Sequence, residues 1–195
     1  MPLKSLAEYE ILAEQAHGHL CAGLILGVRM ALCGMGVLGL EDPAGADRKR
    51  LVTFVEIDRC ATDAIAIVTG CRLGNRALKF HDFGKAAATF CDLRQDRAVR
   101  VSARESARQR ADQMHAEITD RKQRQIRVYR ELPDGELFDI AWVRVRLAPE
   151  DMPGFKAPSA LCAECGEGIG LHREVARDGR ILCRACAGER YYEPL

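Results

Sequence analysis

Two groups of residues in this chain have the types and spacing to do chemistry. The first is His17-Gly18-His19-Leu20-Cys21-Ala22-Gly23. It sets two imidazoles and a thiol within five residues, just ahead of an apolar stretch. Imidazole and thiolate are the donors that zinc and related metals prefer. A helix start adds unpaired N–H groups, whose partial positive charge favours a thiolate at Cys21. His17 and Cys21 stand at i and i+4 and share a face of a continuous helix. His19 joins them only if the chain breaks at Gly18. Taken singly, each residue also fits a buried thiol or a satisfied histidine at a helix–helix turn; taken together they fit a site.

The second group lies near the other end. Cys162-x2-Cys165, seventeen residues, then Cys183-x2-Cys186 is the spacing of a four-thiolate zinc site. Four sulfurs close a tetrahedron and leave no position for substrate, so the site is structural. Residues 159–195 are too few to bury a useful core, and Zn2+ binding supplies the missing folding free energy. His172 lies between the two pairs and is spare. The arginines of this segment are interleaved with acids and form no basic stripe, so nucleic acid is not the expected partner.

The whole chain sets bounds on these readings. Its 195 residues suit one domain plus a small appendage, and a formal net charge of +1 gives no global field for a polyanion. Nine cysteines without an export signal point to a reducing, cytoplasmic setting, where thiols bind metals or react. Leu20 to Leu40 is almost wholly apolar, but Arg29 near its middle and Gly34, Gly36 and Gly39 mark a buried core helix, not a membrane span. Gly23, Gly27 and Ala31 recur every four residues and leave one face without bulk, open to a closely packed backbone.

The elements that must position the first group follow from local pattern. Ser5 and Glu8 form a capping box that opens a helix with Leu6, Tyr9, Leu12 and Ala16 on one stripe. Residues 51–57 read as a strand, and Cys60 to Thr69 as a short helix closed by Gly70. Cys60 thus begins a helix, a setting that lowers a thiol pKa. Cys71 follows the helix end, roughly 16 Å from Cys60, too far for both to bind one metal within one straight-helix chain. Residues 77–82 and 86–93 read as a hairpin about Phe83, Gly84 and Lys85, and residues 99–102 as a further strand. Ser102 and Glu105 look like another capping box. Residues 138–147 form a closing strand with Ile140 and Trp142 partly buried. Cys33 and Cys91 read as core residues. Between Arg94 and Arg130 there are eleven Lys and Arg against five Asp and Glu. Such a run is either a solvated helix face or a docking surface for an anion. The expected architecture is α+β: N-terminal helices on a mainly antiparallel sheet over residues 1–147, a Pro/Gly-rich linker over 148–158, and a treble-clef-like four-cysteine finger over 159–195.

In order along the chain stand His17-Gly-His-Leu-Cys21-x-Gly23, Arg59-Cys60-x-x-Asp63-Ala64-Ile65, Thr69-Gly70-Cys71-x-Leu-Gly74, Asp82-x-Gly84-Lys85-Ala86 and the two CxxC pairs. This set resembles the FmdE family of formylmethanofuran dehydrogenase systems over nearly the whole chain. The resemblance implies an α+β core with an auxiliary zinc finger, a homodimer, and association with molybdenum or tungsten formylmethanofuran dehydrogenase operons. The chain departs from the family pattern at Ala22, where proline is usual, at Arg72, where threonine is usual, and over Asn75 to Leu78. Three uses of the residues stay open. In the first, His17, His19, Cys21, Cys60 and Cys71 supply a core site for a second metal or metallocofactor. Cys21, Cys60, Asp63 and Lys85 are then the reactive groups, Asp63 as support or general base and Lys85 as the holder of an anionic ligand group. In the second, the core is a metal-free accessory module that docks on a molybdenum or tungsten enzyme. In the third, Cys21 exchanges electrons with Cys60 or Cys71.

Overall fold

The computed structural model describes residues 2–43 and 45–193. The chain forms two compact units, Met1–Arg146 and Leu147–Leu195. The first unit begins with α1 (Leu6–His17) and α2 (Ala22–Leu38), followed by β1 (Leu51–Val55) and α3 (Cys60–Thr69). Strands β2 (Leu78–Phe80), β3 (Ala87–Asp92) and β4 (Arg97–Ala103) come next. Helices α4 (Glu105–Gln113), α5 (Arg121–Glu131) and α6 (Asp134–Leu137) then lead into β5 (Phe138–Val143). The sheet order is β2-β1-β3-β4-β5, parallel between β1 and β2 and antiparallel elsewhere. This is the expected α+β class with an antiparallel-rich sheet.

α1 starts as its sequence requires: Ser5 Oγ accepts from the Glu8 N–H, and the Glu8 carboxylate accepts from the Ser5 N–H at 2.8 Å. Its buried stripe is rotated from the expected one, to Tyr9, Glu10 and Ala13, and Leu12 is exposed. The rotation is explained by an ion pair: Glu10 accepts from Arg130 of α5 at 2.6 Å, so a buried carboxylate replaces an apolar side chain.

α2 is the centre of the unit, with Leu24, Ile25, Val28, Met30, Ala31 and Met35 all buried. Arg29 is accommodated because its guanidinium caps the end of α5, donating to the Tyr129 carbonyl at 2.7 Å, the Leu132 carbonyl at 2.7 Å and the Asp134 carboxylate at 2.6 Å. Among the described residues no helix is long and apolar enough to cross a membrane. The small-residue face works as expected. A Cβ on Gly27 would stand 2.4 Å from the Ala61 carbonyl oxygen, and one on Gly23 3.1 Å from Cys60 Cβ. Glycine at these two positions therefore lets the start of α3 lie directly on α2.

The hairpin expected about Gly84 does not form. β2 pairs with one side of β1 (Thr53 opposite Leu78) and β3 with the other (Val55 opposite Ala88). The segment between them steps over the end of β1, where the Phe83 and Lys85 N–H groups both donate to the Glu56 carbonyl. An interior, largely buried β1 needs a partner on each side, and this outweighs the local turn signal. Ser102 is likewise not a helix cap: it pairs with Asp139 inside the sheet, and α4 begins at Glu105 without a side-chain cap. Residues 144–147 lie beyond β5, and Ile140 and Trp142 on this edge strand are exposed, the Trp142 ring being covered by the Arg97 guanidinium at 4.4 Å. Much of the basic run is paired with acids of the same unit, partly buried and partly on its surface. Arg100 pairs with Glu56, Arg121 with Asp112, Arg127 with Glu131 and Arg130 with Glu10.

The second unit contains two short hairpins, β6 (Ala160–Leu161) with β7 (Gly168–Ile169) and β8 (Val175–Arg177) with β9 (Arg180–Leu182). A five-residue helical turn, Ala185–Glu189, follows and is broken at Gly188. It goes no further, because Gly188 takes a φ of 110 that no helix continues through.

Candidate metal centre

The core cluster is made by one break in the chain. α1 ends at His17, and Gly18 takes the left-handed conformation (φ 92) as its C-cap. The chain then reverses, so that Cys21 becomes the N-cap of α2. The break brings in His19, which a continuous helix would point away: the rings of His17 and His19 lie 4.9 Å apart. One donor atom each from His17, His19 and Cys21 fall within 4.8 Å of one another. Tetrahedral zinc holds N and S donors roughly 3.3–3.8 Å apart, so small side-chain rotations close the set on a metal.

Two residues of α3 complete the surroundings. Asp63 meets His17 Nδ1 at 2.9 Å. A carboxylate on one ring nitrogen fixes the tautomer and leaves Nε2 as a donor, the usual second partner of a metal-bound histidine. Cys60 is the first residue of α3, and its sulfur lies with that of Cys21 beside Gly23. Burial, and then the neighbouring Cys21 sulfur, push the Cys60 thiol above its ordinary value. That reverses the expectation from its helix start, because desolvation and a second sulfur outweigh a helix terminus. An open cleft of about 380 Å3 reaches these groups, lined by His17, Asp58, Arg59, Cys60, Thr62 and Asp63. Arg59 belongs to the Arg59-Cys60-x-x-Asp63 motif, whereas Asp58 and Thr62 carry none of their own. Their signal is position alone, since whatever flanks Cys60 at a helix start must form the wall of its cleft.

The structure does not bring Cys71 or Lys85 to this cluster. Cys71 lies at the far end of α3, ~15 Å along a ten-residue helix. It is buried, accepts from Thr53 Oγ1 at 3.4 Å, and burial raises its pKa. Lys85 sits on the turn over the end of β1, where its charge acts on Glu56, and it is not among the residues lining the cleft. Cys33 and Cys91 are buried in the unit, with thiols pushed up to about 12, chiefly by desolvation.

In the second unit Cys162, Cys165, Cys183 and Cys186 place their sulfurs within 4.8 Å of one another. Backbone N–H groups point at the sulfurs: Cys183 N–H donates to Cys162 Sγ at 3.3 Å and Cys186 N–H to Cys183 Sγ at 3.4 Å. Such bonds, first from the Cys165 and Cys183 amides, bring the Cys162 thiol down to about 6. His172 faces Glu174 at 3.4 Å and the Phe155 ring, outside the sulfur cluster.

An α+β unit with a His/Cys cluster at a helix junction, followed by a four-cysteine finger, defines a two-part class of metal-binding protein. The particular family is set by direct comparison. Residues 16–139 match the family described as "FmdE, Molybdenum formylmethanofuran dehydrogenase operon", and residues 157–192 match the prokaryotic dksA/traR C4-type zinc finger. The chain belongs to the FmdE family and carries a C4-type zinc finger. It is 30% identical, over 97% of its length, to a probable S-adenosyl-L-methionine-binding protein of Archaeoglobus fulgidus, and spans 55% of that relative. Its fold is similar to that of a tungsten formylmethanofuran dehydrogenase FmdE-like protein from Syntrophus aciditrophicus. The TM-score is 0.65 at 22% identity, covering 97% of this chain and 96% of the other.

Proposed function

We propose that the first unit is a metal centre in which His17, His19 and Cys21 are the protein ligands and Asp63 holds His17 in its ligating tautomer. The observation that carries this is the convergence of two imidazoles and a thiol within 4.8 Å, with a carboxylate already on the nitrogen that would not bind metal. The donor set suits zinc or another borderline-soft cation. Such a cation, when bound, supplies Lewis acidity and lowers the pKa of a coordinated water to about 7. Arg59 on the cleft wall gives an incoming anion a counter-charge, and Asp58 and Asp63 confine that anion to the Arg59 side. The second unit binds one structural zinc through four cysteines. Family membership supports work alongside a molybdenum or tungsten formylmethanofuran dehydrogenase system, as a homodimer in a reducing cytoplasm where Cys21 and the four finger cysteines persist as thiolate ligands.

The same family membership favours a second reading, a metal-free accessory module docking on a molybdenum or tungsten enzyme. Elemental analysis of the purified protein separates the two. The metal-centre reading expects two metals per chain in the wild type and one in Cys21→Ala. One zinc in both leaves only the finger occupied and favours the accessory module.

A further inference from the structure

Cys60 is not needed to make the three-donor set, yet it is held against it. Gly23 arranges this: a Cβ there would be 3.1 Å from Cys60 Cβ, 3.7 Å from Cys21 Sγ and 3.8 Å from Cys60 Sγ. The two sulfurs thus flank one glycine. They come from different elements, the N-cap of α2 and the first turn of α3, so each can rotate toward the other without unwinding a helix. Cys60 also lines the open cleft, while Cys33, Cys71 and Cys91 are buried. Of the five cysteines in the first unit, this pair alone combines adjacency with access.

We propose that Cys21 and Cys60 are a dithiol that closes into a disulfide on exposure to hydrogen peroxide, and that closure removes a ligand and empties the centre. The inference rests on the metal-centre reading above. In the first step Cys60, facing the cleft, passes its thiol proton to solvent and its thiolate attacks one oxygen of the peroxide, the hydroxide set free taking a proton back from solvent. The O–O bond breaks, Cys60 becomes a sulfenic acid, and one water leaves. In the second step the Cys21 thiolate gives up its metal and attacks the Cys60 sulfur. The S–S bond forms, the S–O bond breaks, and the hydroxide takes a proton from solvent and leaves as the second water. The two sulfurs are oxidised by two electrons in all, the peroxide is reduced by two, and the metal departs with its charge unchanged. His17 and His19 alone do not retain it, because two neutral donors lack the anionic thiolate of the set.

The test uses the full chain loaded to two zinc per chain, treated with hydrogen peroxide at one to a few equivalents. Released zinc is read with a chromogenic chelator and disulfides are read by tryptic peptide mapping. Cys60 shares the tryptic peptide 60–72 with Cys71, so fragmentation must place the link at Cys60. The expected result is loss of one zinc per chain together with a Cys21–Cys60 link, restored by a dithiol reductant plus zinc. Cys60→Ser should keep both metals through the same treatment. Peroxide-treated protein with no Cys21–Cys60 link, or with the link but both zincs retained, overturns the proposal. A wild-type chain that binds one zinc before any oxidant overturns the metal-centre reading instead, and metal release from the centre falls with it, whereas a link formed in that protein still confirms the dithiol.

Discussion

The two clusters of metal-type donors in this protein are built in opposite ways. In the second unit the sulfur cluster is itself the core. Four sulfurs gather from two short knuckles, backbone amides turn toward them, and among the described residues the buried cluster there is Cys162, Ile169 and Leu182. In the first unit the core stands apart from the donors: α2 is buried along most of its length, and the His/Cys cluster is an outgrowth of the junction between α1 and α2. The finger's ligand set is closed and serves folding. The core's set has three donors beside an open cleft, and leaves room for something else to bind. A ligand set that carries the fold cannot easily vary its occupancy; one placed on a finished fold can.

The largest expected effect breaks the comparison at its folding end. Cys183→Ala should cost the second unit its zinc and its structure. Binding free energies of roughly 10–16 kcal/mol drive such fingers, far above what three buried side chains supply. Limited proteolysis should then cut within residues 159–193, while the first unit keeps its cooperative thermal transition. Loss of that transition as well would mean the first unit is not a finished fold on its own. A smaller effect is expected where the core centre depends on packing. Gly27→Ala places a Cβ against the Ala61 backbone, which cannot rotate away, and should destabilise the first unit by about 1–3 kcal/mol. The same change at Gly36, which has open space around it in the same helix, should be neutral or stabilising by up to about 1 kcal/mol. Chemical denaturation of the two variants checks the difference in sign.

The same contrast governs what could be read from the sequence. The finger is written locally, two pairs at fixed spacing, and its ligands are legible without a fold. The core centre is half local. His17, His19 and Cys21 could be picked out, and Gly18 marked as the place a turn must break, since only the break gathers all three. Asp63 and Cys60 were recognisable as neighbours of a helix start, but their meeting with α1 and α2 depends on Gly23 and Gly27 being pressed against α3. The misread elements are those decided at long range. The hairpin at Gly84 yielded to the need of β1 for a partner on each side, and the α1 stripe yielded to the Glu10–Arg130 pair. The Cys60 thiol followed burial and a second sulfur, not its helix terminus. In each case a local propensity of a few tenths to about one kcal/mol met a burial or pairing demand of greater size.

The smallest effect tests whether the core centre is held by more than its direct donors. Asp63→Asn keeps the side chain's size and still offers an oxygen to the His17 Nδ1–H, so the tautomer is preserved. What is lost is the negative charge that makes His17 Nε2 a better donor. Partners of this kind are worth roughly 10- to 100-fold in metal affinity. Asp63 is 60% exposed, so solvent screens its charge and the lower end applies. The expected result is about a tenfold weaker core site, read by competition with a chromogenic chelator, with the finger's zinc unmoved. Asp63→Ala, which leaves Nδ1 without its carboxylate, should weaken the site further. Equal affinities in wild type and both variants would mean that the ion pair serves packing between α1 and α3 and has no part in holding a metal.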